Sequence, residues 1–512
     1  ISSIIIGYQS YKLSQSAIEE QVKLQLISIR DIKKNQVESY IDTIEKQIQT
    51  FSNDRMIIDA MKAFKPAFNE FGSNLSEGEI QGMSDKLADY YKQDFATEYK
   101  NRNKQAPSDL PEDYIGLEQH SIALQHKFIM DNPSPLGSKD TLSEIDGHSK
   151  YGYLHALYHP SIRDFLQKFE YYDIFLVDPD SGDIVYSVFK ELDYTTSLKT
   201  GPYANSGIGQ AFQKANKLVS NNQFVLTDFQ PYFPSYEDPA SFIASPIFEN
   251  GKKIGILIFQ MPIDRINAVM TYDGKWQSSG LGDSGETYLV GSDFRMRSMS
   301  RFLVEDPPAY IKLLNELNIQ DQTIIQTIET KNTSIGLQSV NTLGTKAALQ
   351  GKTEFKIFPD YRNIEVLSAY APLSIKGLDW VIMSEIDKSE AFSAAYNLQQ
   401  QVKISMGIIL TLILGVAIAF SIFFAKTMTS RLISFTERLF EINHTSNLLA
   451  RLDETGNDEI SDSAKAINAI LEKFQLTVKY LSDTVNILGS SSKEMQQQTN
   501  IFLEASQQQL KR

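Results

Sequence analysis

The sequence predicts an α+β region, in which a long N-terminal helix carries two antiparallel-sheet modules, followed by a transmembrane helix and an all-α coiled-coil segment. Three observations predict it. Val37, Ile41, Ile44, Ile48 and Phe51 recur at spacings of four and three within a stretch that has no proline before Pro66, the pattern of a helix with one apolar face. From Tyr171 onward the pattern changes to short runs rich in Val, Ile, Phe and Tyr, separated by Asp-, Asn- and Gly-bearing turns, which is strand grammar. Residues 404–425 (ISMGIILTLILGVAIAFSIFFA) then carry no charge and are bracketed by Lys403 and Lys426. At 1.5 Å per residue that run makes a helix of about 33 Å, enough for the hydrocarbon core of a bilayer.

Composition narrows the function. A chain of 512 residues exceeds one ordinary core, so more than one domain is expected. The net charge of −14 speaks against a nucleic-acid partner, because phosphate binding needs concentrated Lys and Arg. The absence of cysteine excludes disulfides and thiol chemistry. Ile1 to Gly7 (ISSIIIG) reads as the last turns of an apolar helix, so residues 1–11 are expected to end a first membrane span. Residues 12–400 then form one extracytoplasmic region, with 426–512 cytoplasmic, an orientation favoured by Lys426, Arg431 and Arg438 just after the span.

Within that region the seam from Val37 to Phe51 suits a dimerising stalk and a helix packed on its own domain, two readings that are compatible. A helical stretch is expected at 84–99. Residues 172–177 (YDIFLV) and 184–189 (IVYSVF) flank an Asp-rich turn as a first hairpin. Residues 241–248 and 253–261 form a second around Asn250-Gly251, with a helix at 207–217 between the two. That arrangement suits a PAS-like antiparallel sheet. A second PAS-like module follows, with a hairpin at 285–290 and 295–300 and strands at 353–358, 365–372 and 380–386.

Residues 171–198 (YYDIFLVDPDSGDIVYSVFKELDYTTSL), 242–267 (FIASPIFENGKKIGILIFQMPIDRIN) and 282–302 (GDSGETYLVGSDFRMRSMSRF) resemble bacterial double-Cache (dCache) receptors, particularly methyl-accepting chemotaxis proteins. The resemblance implies a small-molecule ligand in a membrane-distal module, about 125–265, stacked on a proximal module, about 266–390. Many amino-acid-sensing members hold the ligand carboxylate with an Arg followed by Trp and Tyr. Here the corresponding stretch, 198–203, reads LKTGPY, so the amino-acid motif is missing. A distal pocket is expected from Lys190, Tyr203, Asp228, Tyr232 and Tyr236, which offer one cation, one anion and aromatic faces with polar tips.

No catalytic motif, cofactor site or metal site is expected. Asp178, Asp180, Gly182 and Asp183 lack the later ligands of a calcium loop and read as turn chemistry. Five of the six histidines fall between 120 and 159, and with no partnering carboxylate pattern they read as scattered surface positions.

After the span, Leu432, Phe435, Leu439 and Ile442 form a short amphipathic helix, and a polar connector leads to a heptad seam from Ile460 to Leu488. With Arg451, Leu452, Gly456 and Asp458 to Ile460 in place, residues 426–478 look like a HAMP domain without its usual early proline. Residues 479–512 look like the start of a cytoplasmic signalling coiled coil, whose Gln496–Gln498 and Gln507–Gln509 resemble a chemoreceptor adaptation region. The expectation is a homodimeric chemoreceptor acting on a cytoplasmic histidine kinase and coupling protein. The alternative is the sensor half of a transmembrane histidine kinase or nucleotide cyclase. A passive adhesion ectodomain fits the relay poorly.

Overall fold

The computed structural model describes residues 2–107, 117–145, 149–317 and 320–445, with isolated positions beyond them. The chain divides into two compact units, Gln15–Ala394 and residues 1–14 with 395–512.

In the first unit, helix α1 (Ser2–Ser52) supplies the spine, and α2 (Arg55–Glu70) follows after an Asp54 N-cap that accepts the Met56 amide. The apolar seam is consumed internally. Val37, Ile41, Ile44 and Ile48 are at most 1% exposed and belong to the main core. Of the two compatible uses of the spacing, packing on the helix's own domain is seen here. Nearer the N-terminus of the unit, Leu26 and Ile29 join a second cluster with Trp276, Leu367 and Ala369.

A helical arm comes next: α3 (Glu77–Tyr90), opened by a Ser76–Glu79 capping box, a π turn (Tyr91–Phe95), and α4 (Ala96–Asn103). Helices α5 (Gln119–Gln125) and α6 (Lys150–Phe169) lead into the first sheet. Its strands are β1 (Asp173–Val177) and β2 (Ile184–Ser187), then, after α7 (Gly207–Ala215), β3 (Val225–Leu226). A separate two-stranded ribbon, β4 (Gln230–Tyr232) and β5 (Asp238–Ala240), precedes β6 (Phe242–Glu249) and β7 (Lys252–Gln260). The antiparallel order is β2-β1-β7-β6-β3, so the two expected hairpins meet through β1 and β7.

Helix α8 (Ile263–Thr271) crosses to the second sheet, β8 (Glu286–Val290). Helices α9 (Arg301–Glu305), α10 (Pro307–Leu317), α11 (Gln322–Lys331) and α12 (Leu343–Leu349) cover it. Strands β9 (Glu354–Pro359), β10 (Glu365–Pro372) and β11 (Val381–Asp387) complete the antiparallel order β8-β11-β10-β9. One expected hairpin is corrected. Residues 295–300 form no strand: the return is cut to an antiparallel Val290–Met296 bridge, with the Arg297 amide on the Leu289 carbonyl (2.7 Å) and the Gly291 amide on the Arg295 carbonyl (2.9 Å), and the ladder partner of β8 is β11. The Ser298 hydroxyl accepts the Leu289 amide in place of a ladder carbonyl, and Phe294 turns at a left-handed φ of 59°.

Strand β11 leads through α13 (Lys388–Ala391) into α14 (Ser393–Thr445). The stretch Ser393–Lys426 is long and apolar enough to cross a membrane, with a mean hydropathy of 2.8 in its most apolar window and none of that window buried. The HAMP-like connector and second helix, and the coiled coil expected after residue 479, lie outside the described residues but for isolated positions.

Candidate functional site

The end of β2 and the loop after it hold an unusual concentration of buried charge. Asp173, the first residue of β1, accepts the amides of Ile174 (2.6 Å), Val188 (2.8 Å) and Phe189 (3.2 Å) and the Ser187 hydroxyl (3.2 Å). It thereby folds the loop back on the strand. Lys190, held at a left-handed φ of 56°, turns its ammonium inward to the carbonyls of Ser187 (3.1 Å) and Val188 (3.0 Å). The rings of Phe128 and Tyr186 lie 5.7 and 5.5 Å from that nitrogen.

Two further carboxyls follow on the same loop. Asp193 is fully buried; its Oδ2 accepts the Tyr232 hydroxyl, while its Oδ1 has no hydrogen-bond partner. Glu191 accepts the Ser235 hydroxyl at 3.1 Å through Oε2 and keeps part of its surface open. Burial, reinforced by the neighbouring carboxylates, pushes Asp173 up to about 7 and Glu191 well above its usual range. Burial also raises Asp193, to about 6, against the pull of the Tyr232 hydroxyl. It lowers Lys190 to about 7, with Asp173 pulling the other way.

Aromatic side chains enclose the loop. Tyr203 packs edge-on against Tyr232 with centroids 6.0 Å apart. At the far end of the ribbon Tyr236 stacks on Phe95 of the helical arm (5.0 Å), with the Arg102 guanidinium 4.2 Å from its ring centroid. The arm is tied to the loop by a relay in which Tyr91 donates to Gln125 Oε1 (2.6 Å) and Gln125 Nε2 donates to the Tyr194 carbonyl (2.6 Å). Four of the expected residues thus gather around residues 188–198: Lys190 beneath, Tyr232 on Asp193, Tyr203 beside Tyr232, and Tyr236 within electrostatic reach of Glu191.

Asp228 is engaged elsewhere. Its carboxylate takes both arms of Arg297 (2.8 and 2.9 Å) and the Trp380 indole N–H (2.9 Å), while Phe229 stacks on Trp380. It therefore joins the strand side of the first sheet module to the second. The histidines require a correction: His155 and His159 are buried, not at the surface. Their rings stack 4.3 Å apart, with His159 bonded to the Tyr186 hydroxyl and the Asp140 carbonyl and His155 to the Ser143 carbonyl. Sequence reasoning missed them because neutral imidazole packs as an aromatic ring; His159 satisfies both nitrogens locally, whereas His155 leaves Nε2 without a partner. It also passed over Asp173, Glu191 and Asp193. The available signal was three charges in four residues, Lys190 to Asp193, directly after an apolar strand.

Among solved structures, the ligand-binding domain of Pseudomonas fluorescens chemoreceptor CtaA in complex with L-leucine aligns at 13% identity over 52% of this chain and 84% of its own, with a TM-score of 0.26. That of the Pseudomonas aeruginosa PAO1 amino acid chemoreceptor PctC in complex with GABA aligns at 12% identity over 49% and 87%, with a TM-score of 0.27. The extracellular domain of a putative histidine kinase aligns at 13% over 46% and 78%, with a TM-score of 0.28. Likenesses this remote carry no weight on what the chain binds. No curated protein sequence matches it. The profile of the Cache domain family, dCache_1, matches residues 10–395, which span both sheets and most of the spine, and the chain belongs to that family.

Proposed function

We infer that the chain is the sensory and membrane-crossing portion of a homodimeric chemoreceptor, located in the bacterial cell membrane. The observation that carries this reading is the order of parts: a two-sheet Cache region leads, through β11 and α13, into a helix long and apolar enough to span a bilayer. A small extracellular molecule binds in the distal module between the loop 188–198 and the β4–β5 ribbon. Tyr203, Tyr232 and Tyr236 form its walls, and Lys190 supports the loop from beneath.

Asp228 lies two residues beyond β3 and precedes the ribbon, and it grips Arg297 and Trp380, the residue before β11. A shift of the ribbon on ligand binding is passed by that grip toward β11 and α14. A HAMP-like relay at 426–478 then conveys it to a cytoplasmic histidine kinase and its coupling protein. The ligand shifts the resting equilibrium only by its differential affinity for the two states.

The test is a chimera of residues 1–478 with a chemoreceptor signalling bundle, assayed for kinase output in membranes. Ligand-dependent change in kinase activity, lost on Tyr232→Ala and uncoupled by Asp228→Ala with binding retained, is expected. Unchanged output in the presence of a bound ligand rejects the receptor reading.

A further inference from the structure

The short helix α13 is seated on the second sheet module by two contacts of different kinds. The first is apolar: Phe392, 2% exposed, lies in a cluster with Leu26 and Ile29 of α1, Trp276, Leu281 and Leu367. The second is a single carboxylate. Glu390 Oε1 accepts the Asp283 amide (2.7 Å), and Oε2 accepts the Ser284 amide (2.7 Å) and the Ser284 hydroxyl. That hydroxyl in turn accepts the Asp387 amide at 3.1 Å, so the loop also holds the end of β11.

Two successive amides converging on one anion make a concave donor pair, and bonds to a charged acceptor are stronger than neutral ones. The backbone is shaped for this grip. Gly282, at a left-handed φ of 57°, lies so close to Glu390 that a Cβ there has no room while the carboxylate is in place. The loop is anchored independently of α13. Arg301 donates to the carbonyls of Gly282 (3.0 Å) and Gly285 (2.5 Å), and Gln25 of α1 donates to the Gly280 carbonyl. Residues 280–285 therefore tie α1 and α9 to the helix that precedes α14.

The two contacts respond differently to displacement. Pulling Phe392 from its cluster exposes apolar surface, at a cost that grows with the area. Asp283 is exposed and Ser284 only half-buried, so water replaces the carboxylate at their amides when the grip opens. Held at both points, α13 has one direction; held at Phe392 alone, it turns about that point. Strand β11 reaches the grip from the other side. It runs from Trp380, held by Asp228, to Asp387, whose amide bonds the hydroxyl that holds Glu390.

We propose that Glu390 is a releasable clamp: gripped by residues 282–284 it fixes α13 against the second sheet, and its release, letting α13 turn about Phe392, passes the signal into α14. The proposal rests on the reading of α14 as the signal-carrying helix and adds the residue at which the signal passes.

The experiment measures distances by double electron–electron resonance on the full chain in lipid nanodiscs, diluted with unlabelled chain. With no native cysteine, nitroxides go uniquely to the exposed positions Lys356→Cys and Ala394→Cys, which report the junction. Lys312→Cys with Lys356→Cys is the reference pair inside the second module. One dominant junction distance is expected in the parent. Glu390→Gln turns an NH2 group toward an amide donor, and Gly282→Ala displaces the carboxylate from the opposite side. Each is expected to raise a second, released distance about tenfold in population, and the double variant no further than either, because both remove one contact. In the chimera of residues 1–478 with a chemoreceptor signalling bundle, Glu390→Gln is expected to shift kinase output without ligand by about fivefold. A single junction distance in both variants overturns the clamp. Equal widening of the reference pair also overturns it, by making the contact a general support of the sheet. Junction release with kinase output unchanged overturns the reading of α14 as signal-carrying, and with it the clamp's role in output.

Discussion

Glu286 and Glu385 stand directly opposite each other on β8 and β11, both buried. The Tyr361 hydroxyl (2.6 Å) and the Arg301 amide (3.1 Å) bond Glu286; the Tyr288 and Ser368 hydroxyls, each at 2.7 Å, bond Glu385. Every oxygen has a donor, so the pair is a structural device with nothing left for a ligand. Burial raises Glu286 to about 7, against the pull of the Arg362 guanidinium, and Glu385 to about 8, with the Asp360 carboxylate adding to the rise. A carboxyl whose folded pKa exceeds its unfolded value of 4.5 gives stability that is complete below that value and is lost as pH rises through the folded value. Buried His155 and His159, held below their usual range, act oppositely and cost stability as pH falls below about 6.5. A difference measurement separates the two. Relative to Glu385→Gln, the parent chain should lose melting temperature steadily between pH 5 and 8.5; parallel curves would show that the pair does not titrate there. Asp228 supports a second prediction. Removing it strands Arg297, whose side chain is 4% exposed, although Asp293 remains at 2.9 Å. Asp228→Ala should therefore cost about 2 kcal/mol, less than a fully buried pair, because the Asp228 side chain is itself 27% exposed. Chemical denaturation measures it, and a change below about 0.5 kcal/mol would mean the junction adds little to stability.

Among the elements, α1 shows how a repeating pattern underdetermines its partner. The four-and-three spacing from Val37 to Phe51 names a buried face, and both a second helix and a sheet can cover such a face. The fold covers it with its own core, alongside Ile57, Phe64, Ile174 and Phe259. Ile44→Ala should accordingly destabilise the folded chain by about 2–5 kcal/mol, the cost of a cavity at a tightly packed position. The loss in unfolding midpoint relative to the parent chain should be the same at every protein concentration; a loss that grows on dilution would instead make the seam a dimer contact. The β4–β5 ribbon is the element least visible in the sequence. Its strands are three residues long, and Tyr236 and Glu237 between them adopt left-handed φ values of 58° and 63°. It is fixed from outside: Lys331 of α11 bonds the Tyr236 carbonyl (2.7 Å) and Asp238 (3.0 Å), and the helical arm stacks on Tyr236. Strands that short hold no register by themselves, so no local signal announces them.

At the scale of the whole molecule the absence of cysteine makes topology directly measurable. Lys312→Cys, on an exposed position of α10, should react with a membrane-impermeant maleimide in intact cells, whereas Ser492→Cys should react only after lysis. Labelling of both, or the reverse pattern, contradicts the proposed orientation. The long apolar helix was legible because bilayer thickness imposes a length and forbids charge, two conditions that one linear stretch meets without reference to any other part of the chain. The same holds for the hairpins at 173–187 and 242–260, where alternation and an Asn-Gly or Asp-rich turn are local properties. Sequence alone therefore determined the class of architecture and the order of its elements. Tertiary structure decided which residues face each other. Asp173 and Asp193 are separated along the chain yet share one buried environment, Asp228 is drawn away to Arg297, and the two histidines stack inside a core. Burial and the identity of a hydrogen-bond partner are set by segments distant in sequence, and these are what convert an ordinary carboxylate into a site.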